Sequence, residues 1–463
     1  MQTDRTLNGQ NIAVIGLGLS GVAAAKLALE KGGEVYVSEI RTDQEARDSA
    51  SRLRRLGIEV ELGPHNQQKI ATAETVVVSP GISHHARIIK DLAGKGIATM
   101  SEPEFAFRFF DGPLIAVTGT NGKTTTAMLI AQFLKEDGQH VALGGNVGGG
   151  MAPPASELAL SEDSPSWYVL ELSSFQLSGV INLKPSIGVV TNLAPDHLDR
   201  YDSVATYYGD KANIFANADD NSRWVLNGSD LEVLDLAQNV PGKHFYFSEE
   251  YTDSSAAYVQ DDMVTVELVG SLSSIIGTDS IPLLGKHNVA NVLAAALTAK
   301  LAGTTDNSIA EGVKKFSSLP HRTEKVGQCS GIAWVNDSKA TNISATINGI
   351  TSLDGHLLVL LGGQDKGEDF TRLIEPLKAN NSKVIAFGEA GDRLYQQLKE
   401  DVMVRLVEGS FEDLMESAFE WAERGDTVLL SPACPSFDMF RDYQERGDHF
   451  SKLVNKFLEI PNG

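Results

Sequence analysis

Short apolar runs recur along the chain, and nearly every one stops at a glycine or a cluster of small polar residues. Residues 11–15, 34–37, 74–78, 113–117, 167–170, 187–190, 332–335, 356–361, 383–387 and 427–430 are such runs. Their length and β-branched content predict buried strands, and the stretches between many of them carry helically spaced apolar positions. This alternation predicts an α/β protein with parallel sheets. About four strand–helix units pass by residue 111, enough for a small domain of its own. A second series starts at 113, and Leu319-Pro320-His321-Arg322 marks a junction before a third. The expected organisation is three domains: residues 1–111, Rossmann-like; 112–318, a central P-loop ATPase-like domain; and 319–463, again Rossmann-like. Residues 245–283 read as strands and turns, and 286–301 as an alanine-rich helix.

The strongest chemical signal is Thr118-Gly119-Thr120-Asn121-Gly122-Lys123-Thr124-Thr125, between the run 113–117 and an apolar helical stretch. Gly119 and Gly122 leave backbone N–H groups free to wrap a phosphate at a helix N-terminus. Lys123 is placed to reach a terminal phosphate, and the Thr124 hydroxyl to hold Mg²⁺. Val117 stands where the full P-loop pattern has its first glycine, so this is a variant with a shorter loop. The run 167–170 ends in Glu171, a candidate second support for the metal.

A second glycine loop, Gly16-Leu17-Gly18-Leu19-Ser20-Gly21, follows the first strand, and Glu39 ends the next one. That order fits a dinucleotide fold, with NAD as the first ligand to consider. Taken alone it says only that a phosphate-bearing ligand approaches a helix N-terminus. Ser79-Pro80-Gly81-Ile82 adds another glycine turn on the same sheet edge. After 187–190 come Asp196, His197, Asp199 and Arg200, four ionisable groups in five positions. His197 is a candidate metal ligand or base because it follows a strand end. Lys211, in a helical stretch, reads from chemistry alone as a surface lysine. Asn288 and Asn291 share a helical face, where two amides either read a purine edge or cap the helix.

Composition narrows the field. The 463 residues hold 61 acidic and 39 basic side chains, a net charge of −22, which disfavours a nucleic-acid partner. Phosphate binding through local N–H groups and single lysines remains compatible with it. Two distant cysteines, Cys329 and Cys434, form no metal-ligand spacing, as expected of a reduced, cytoplasmic protein. Residues 12–25 are apolar enough to suggest a leader, but no basic segment precedes them, so none is expected. No apolar run approaches the roughly 18 residues of a membrane span.

Taken in order, GLGLSG at 16–21, SPGI at 79–82, TGTNGKTT at 118–125, GGNVG at 144–148, ELSSFQL at 171–177, DHLDRY at 196–201, HNVAN at 287–291, LPHR at 319–322, NDSKATN at 336–342, LLGGQDK at 360–366 and SPACPSFD at 431–438 resemble the ATP-dependent Mur ligases of bacterial cell-wall synthesis. The resemblance covers essentially the whole chain and is strongest to the branch that adds D-glutamate to UDP-N-acetylmuramoyl-L-alanine. It implies a substrate carboxylate phosphorylated by ATP and an acyl phosphate captured by an amine. It further implies that Gly119, Thr120, Asn121, Gly122, Lys123, Thr124 and Thr125 meet ATP, with Asn291 at adenine, Arg322 at the γ-phosphate and Asp337 at the ribose. Thr124 and Glu171 would hold one Mg²⁺, His197 and a carbamylated Lys211 a second, with Lys123, His197 and Lys211 as the catalytic set. The N-terminal glycine loop would then hold the UDP-sugar rather than NAD, through Leu17, Ser20, Glu39 and Gly81, with Asn146 and His197 near its sugar end. Thr341, Lys366, Ser436, Phe437 and Tyr443 would receive D-glutamate. Glu39-Ile40 departs from the Asp-Thr pair of one well-known form, and Ile40 has no side-chain donor for uracil. The implied protein is a monomer acting on small molecules in the cytoplasm, away from nucleic acid and membrane.

Rival readings are a sister ligase, whose diaminopimelate- or lysine-adding form usually carries a DNPR motif absent here, and folylpolyglutamate synthase, which lacks the first domain. An NAD-dependent oxidoreductase leaves TGTNGKTT unexplained. A non-catalytic ATP-binding regulator leaves the set Lys123, Glu171, His197 and Lys211 without a purpose.

Overall fold

The computed structural model describes residues 5–82, 86–161, 163–197, 200–268, 270–283, 285–317 and 319–458. Leu198 and Asp199 of the DHLDRY motif lie outside the described residues. The chain forms two compact units, one made of the chain through Thr278 together with Ala290–Lys315, the other of Asp279–Val289 and Phe316 onward. Among the described residues there are three sheets: two in the first unit, one in the second.

The first sheet is parallel, in the spatial order Glu59–Leu62, Glu34–Glu39, Asn11–Ile15, Thr75–Val78, Met100–Ser101. The first strand is central, so the glycine loop at its end sits where the strand order reverses, the crevice in which α/β sheets bind ligands. Two of its strands escape the sequence pattern. Glu59–Leu62 alternates charged and apolar residues over only four positions, and Met100–Ser101 is two residues long. The helix after the glycine loop begins at Leu19, inside the glycine motif itself.

The second sheet runs Ser271–Gly277, Met263–Leu268, Ser255–Gln260, Lys243–Phe247, Arg223–Asn227, Ile187–Val190, Leu114–Thr118, Trp167–Glu171, Val141–Gly145. Pairing is antiparallel only among the three strands at the Ser271–Gly277 edge. Leu114–Thr118 is buried along its whole length, as expected of a strand covered on both faces. It lies between Ile187–Val190 and Trp167–Glu171, with Thr118 beside Val190 and Val117 beside Glu171. The three strands therefore end together, which brings the phosphate loop, Thr191-Asn192 and Glu171 to one edge.

A linker helix, Glu102–Phe107, ties these two sheets together. Both its carboxylates are fully buried. Glu104 accepts backbone N–H groups of Ile181, Asn182 and Leu183 at 3.1, 2.9 and 2.7 Å. Glu102 accepts the N–H of Ser156 at the start of helix Ala155–Leu158. Phe110 stacks on Tyr168 with ring centroids 3.8 Å apart.

In the second unit the sheet order is Glu324–Cys329, Ile332–Asn336, Thr427–Ala433, Leu357–Gly362, Lys383–Phe387, Met403–Leu406. Only the edge strand Glu324–Cys329 is antiparallel to its neighbour. Thr427–Ala433 is central, pairing Asn336 with Leu430 and Gly362 with Ala433. The loops that follow these three strands, which carry Thr341, Lys366 and Ser436, thus leave the sheet side by side. Among the described residues no helix is long and apolar enough to cross a membrane.

Candidate active site

The phosphate loop is held open by glycine geometry. Gly119 has φ +139°, and a Cβ there would meet the Thr191 hydroxyl at 2.1 Å. Gly122 has φ +80° at the start of helix Lys123–Glu136, and a Cβ there would meet Asn291 Oδ1 at 2.3 Å. Thr191 and Asn192 brace the loop from the neighbouring strand. The Asn192 carbonyl accepts Thr120 N–H at 2.8 Å and its side-chain oxygen accepts Asn121 N–H at 2.9 Å. The Thr191 hydroxyl donates to the Asn121 carbonyl at 2.6 Å. Lys123 Nζ donates to the Thr120 carbonyl at 2.7 Å, which keeps the ammonium within the loop. Thr125 is buried one position on.

Thr124 donates its hydroxyl to Glu171 Oε2 at 2.7 Å, and both residues are buried. Two hard oxygen donors converging beside a phosphate loop suit Mg²⁺, which takes one or two protein ligands and completes its shell with phosphate and water. Among the described residues no group of three or more His, Cys, Asp or Glu side chains is arranged as a metal cage. Asn146 is adjacent, its N–H donating to the Glu171 carbonyl at 2.9 Å.

The surface position expected from chemistry alone for Lys211 is wrong. Lys211 is 1% exposed and donates to the Gly119 carbonyl at 2.6 Å. Helix Val204–Ala212 presses it under the phosphate loop, a placement that its local sequence does not announce. Burial, with the Lys123 ammonium second, lowers its pKa well below the usual lysine value. Tyr207, one turn earlier and buried, has its ring centroid 4.6 Å from the Lys211 ammonium. The His197 ring lies 5.9 Å from the same ring, so Tyr207 borders both proposed ligands of a second metal. His197 has a left-handed φ of +56° and packs edge-on against Phe175 at 5.1 Å. Asn291 is buried with Oδ1 3.3 Å from the Thr126 hydroxyl, while Asn288 belongs to the other unit.

In the first sheet, Gly16 and Gly21 are packed, since a Cβ would meet Ser79 Cβ at 2.7 Å and the Gly16 carbonyl at 2.0 Å respectively. Gly18, whose Cβ would come no closer than 3.8 Å to anything, is the one with room for a ligand. Leu17 is buried, Ser20 half-buried and Gly81 exposed. Glu39 is buried, and its oxygens accept the N–H groups of Leu17 at 2.7 Å and Arg41 at 2.9 Å. It shapes the glycine loop from within.

In the second unit Asp337 is buried, accepting Thr323 N–H at 3.1 Å and the Ser431 hydroxyl at 2.7 Å. Burial raises its pKa to about 7. Lys339 sits over the Tyr443 ring at 3.7 Å. Asp365 forms a two-pronged ion pair with Arg393 that fixes the turn carrying Lys366. The Ser436 hydroxyl is buried and has no hydrogen-bond partner among the described residues, the kind of orphan a ligand satisfies. Thr341 is half-buried and Phe437 is 65% exposed. Arg322 and half-buried His287 belong to this unit, and desolvation with the Arg322 charge lowers the His287 pKa to about 4.

Sequence reasoning missed the bracing residues Thr191, Asn192, Ser431 and His321, whose ring lies 3.0 Å from Asn336 Nδ2. Their position directly after or near strand ends was the available signal.

Known proteins match along the chain. The family models "Mur ligase MurD-like, N-terminal domain", "Mur ligase middle domain" and "Mur ligase, glutamate ligase domain" match residues 10–101, 117–299 and 321–434. A UDP-N-acetylmuramoylalanine--D-glutamate ligase of Bacteroides fragilis is 36% identical over 96% of this chain and 100% of its own length. The enzyme of that name from Acidobacterium capsulatum is 37% identical, covering 97% of this chain and 96% of its own. The structure of MurF ligase from Thermotoga maritima in complex with ADP covers 99% of this chain and 97% of its own with a TM-score of 0.58, at 16% identity. With relatives this similar over nearly the full length of both chains, the protein belongs to the Mur ligase family.

Proposed function

We propose that this chain is an ATP-dependent, ADP-forming ligase that joins D-glutamate to UDP-N-acetylmuramoyl-L-alanine in cytoplasmic peptidoglycan precursor synthesis. The full-length relatives of that name support it. The observation that carries it is the Thr124–Glu171 pair beside the Lys123 loop, a place for a nucleoside triphosphate and its metal. Residues 1–111 take the UDP-sugar, 112–318 ATP, and 319–463 the amino acid. The chain acts as a monomer on small molecules.

The reaction needs positioned charges more than a protein nucleophile. The substrate carboxylate oxygen attacks the γ-phosphorus, the bond to ADP breaks, and an acyl phosphate forms. The amine of D-glutamate attacks the acyl carbon, and the tetrahedral intermediate expels phosphate and loses a proton. Bound Mg²⁺ would supply charge neutralisation at the phosphate oxygens, held by Thr124 and Glu171 at one site and by His197 and carbamylated Lys211 at the other. Lys123 and Arg322 bind phosphate, and the N–H groups of the 119–125 loop orient it. Asn291 faces adenine and Asp337 the ribose. Burial of Lys211 favours the neutral amine that carbamylation requires. Leu17, Ser20, Glu39, Gly81 and Asn146, with His197, form the sugar-nucleotide side, and Thr341, Lys366, Ser436, Phe437 and Tyr443 the acceptor side.

The chemistry is tested by labelling the substrate carboxylate with ¹⁸O. An acyl phosphate route delivers one labelled oxygen to the released phosphate. Unlabelled phosphate would reject it.

A further inference from the structure

Arg446 lies on the helix Tyr443–Leu458 and is fully buried. Its Nε donates to the Ser338 hydroxyl at 3.0 Å and Nη2 to the Ser338 carbonyl at 2.8 Å. Nη1 and Nη2 both donate to the Cys434 carbonyl at 3.1 Å. Gly363 packs on the same group, since a Cβ there would come within 3.1 Å of Nη1 and 2.2 Å of the Pro435 carbonyl. Gln364 N–H closes the cluster by donating to that Pro435 carbonyl at 2.9 Å.

Three loops therefore meet at one guanidinium, each leaving a different strand of the second unit's sheet. The first, after Ile332–Asn336, carries Thr341. The second, after Leu357–Gly362, carries Lys366. The third, after Thr427–Ala433, carries Ser436. A buried cation is strongly unfavourable unless its donors are used, and here they go to backbone carbonyls and one hydroxyl. A planar fork with five donors spans two loops at fixed spacing, which a lysine's single ammonium cannot reproduce.

We propose that Arg446 is a positioning residue for the acceptor amino acid. It sets the spacing of the three loops so that Thr341, Lys366 and Ser436 converge on the acceptor's carboxylates. The proposal rests on the D-glutamate reading above. It makes Arg446 a determinant of acceptor binding without direct contact to the acceptor.

The test compares KM values for D-glutamate, ATP and the UDP-sugar in the wild type, Arg446→Met, Arg446→Lys and Ser338→Ala. Arg446→Met should raise the acceptor KM about tenfold or more, the loss expected when charge-assisted hydrogen bonds go. The other two KM values should stay within about twofold, since the change is confined to the acceptor loops. Arg446→Lys should fall between, Ser338→Ala should show a smaller rise of the same kind, and added methylguanidinium should partly restore Arg446→Met. A folded Arg446→Met with unchanged acceptor KM, or with all three KM values raised together, overturns the proposal. Should that variant not fold, unchanged acceptor KM in both Arg446→Lys and Ser338→Ala overturns it instead. A wild type that does not use D-glutamate refutes the underlying reading before any variant is made.

Discussion

The Thr124 hydroxyl donates to Glu171 Oε2 across 2.7 Å, joining the first turn of one helix to the end of a neighbouring strand. Strand register produces this contact, because Val117 pairs with Glu171 and the phosphate loop starts one residue later. The pair is at once a structural link and two ligands at the place proposed for Mg²⁺.

Glu171→Gln keeps the size and an oxygen acceptor for Thr124 but removes the charge. Its Mg²⁺ requirement should rise about 10- to 100-fold, the usual effect of disturbing the surroundings of a metal. Magnesium titration of ADP release checks this. An unchanged requirement would remove Glu171 from the metal site.

Lys211→Ala should abolish activity, and added bicarbonate should not restore it, whereas Lys211→Glu should retain a fraction by supplying a carboxylate. Wild-type protein equilibrated with ¹³C-bicarbonate should show a carbamate carbon signal that both variants lack. Full activity of Lys211→Ala, or no such signal in the wild type, would count against carbamylation.

The strand-end chemistry was legible because it is local. Glycine loops such as 16–21 and 119–122 follow apolar runs directly, and both appear where the pattern put them. Burial of Lys211 was not legible, since it depends on a helix brought under the loop by the sheet order rather than on neighbouring residues. The short strand Glu59–Leu62 was missed because its two glutamates mask the alternation. Arg446 gives no local sign at all. One partner, Ser338, lies 108 residues upstream, and the other, Cys434, lies 12 residues before it, just past the end of a strand. The family resemblance supplied the metal-ligand role proposed for Lys211, which physical reasoning on the sequence did not reach.

Ser436→Ala should separate stability from function. The buried hydroxyl has no partner among the described residues, so its loss should leave stability unchanged or raise it by about 1 kcal/mol. If it receives an acceptor carboxylate, the KM for D-glutamate should rise about tenfold while that for ATP holds. Denaturant melts and initial-rate kinetics read the two effects. A loss of stability with unchanged kinetics would contradict this assignment.

Glu102 gives a pH prediction. Burial raises its pKa from 4.5 to about 7 in the folded protein. Between these values the folded state binds the proton more tightly than the unfolded state, so this group makes stability fall as pH rises. The loss is complete above about 7 and amounts to about 3 kcal/mol at most, from 1.36 kcal/mol per unit. Glu102→Gln should flatten the slope and be the more stable protein at pH 8, as measured by urea unfolding. A wild type at least as stable as the variant at pH 8, with parallel pH profiles, would contradict it. Asp337, also raised to about 7, adds a slope of the same sign.

The central claim is the reaction itself, and acceptor-dependent phosphate release tests it most directly. With ATP and UDP-N-acetylmuramoyl-L-alanine present, D-glutamate, L-glutamate, L-alanine, meso-diaminopimelate and L-lysine are supplied one at a time. Release that requires D-glutamate alone is the predicted result. Release with another acceptor, or with none added, would contradict it.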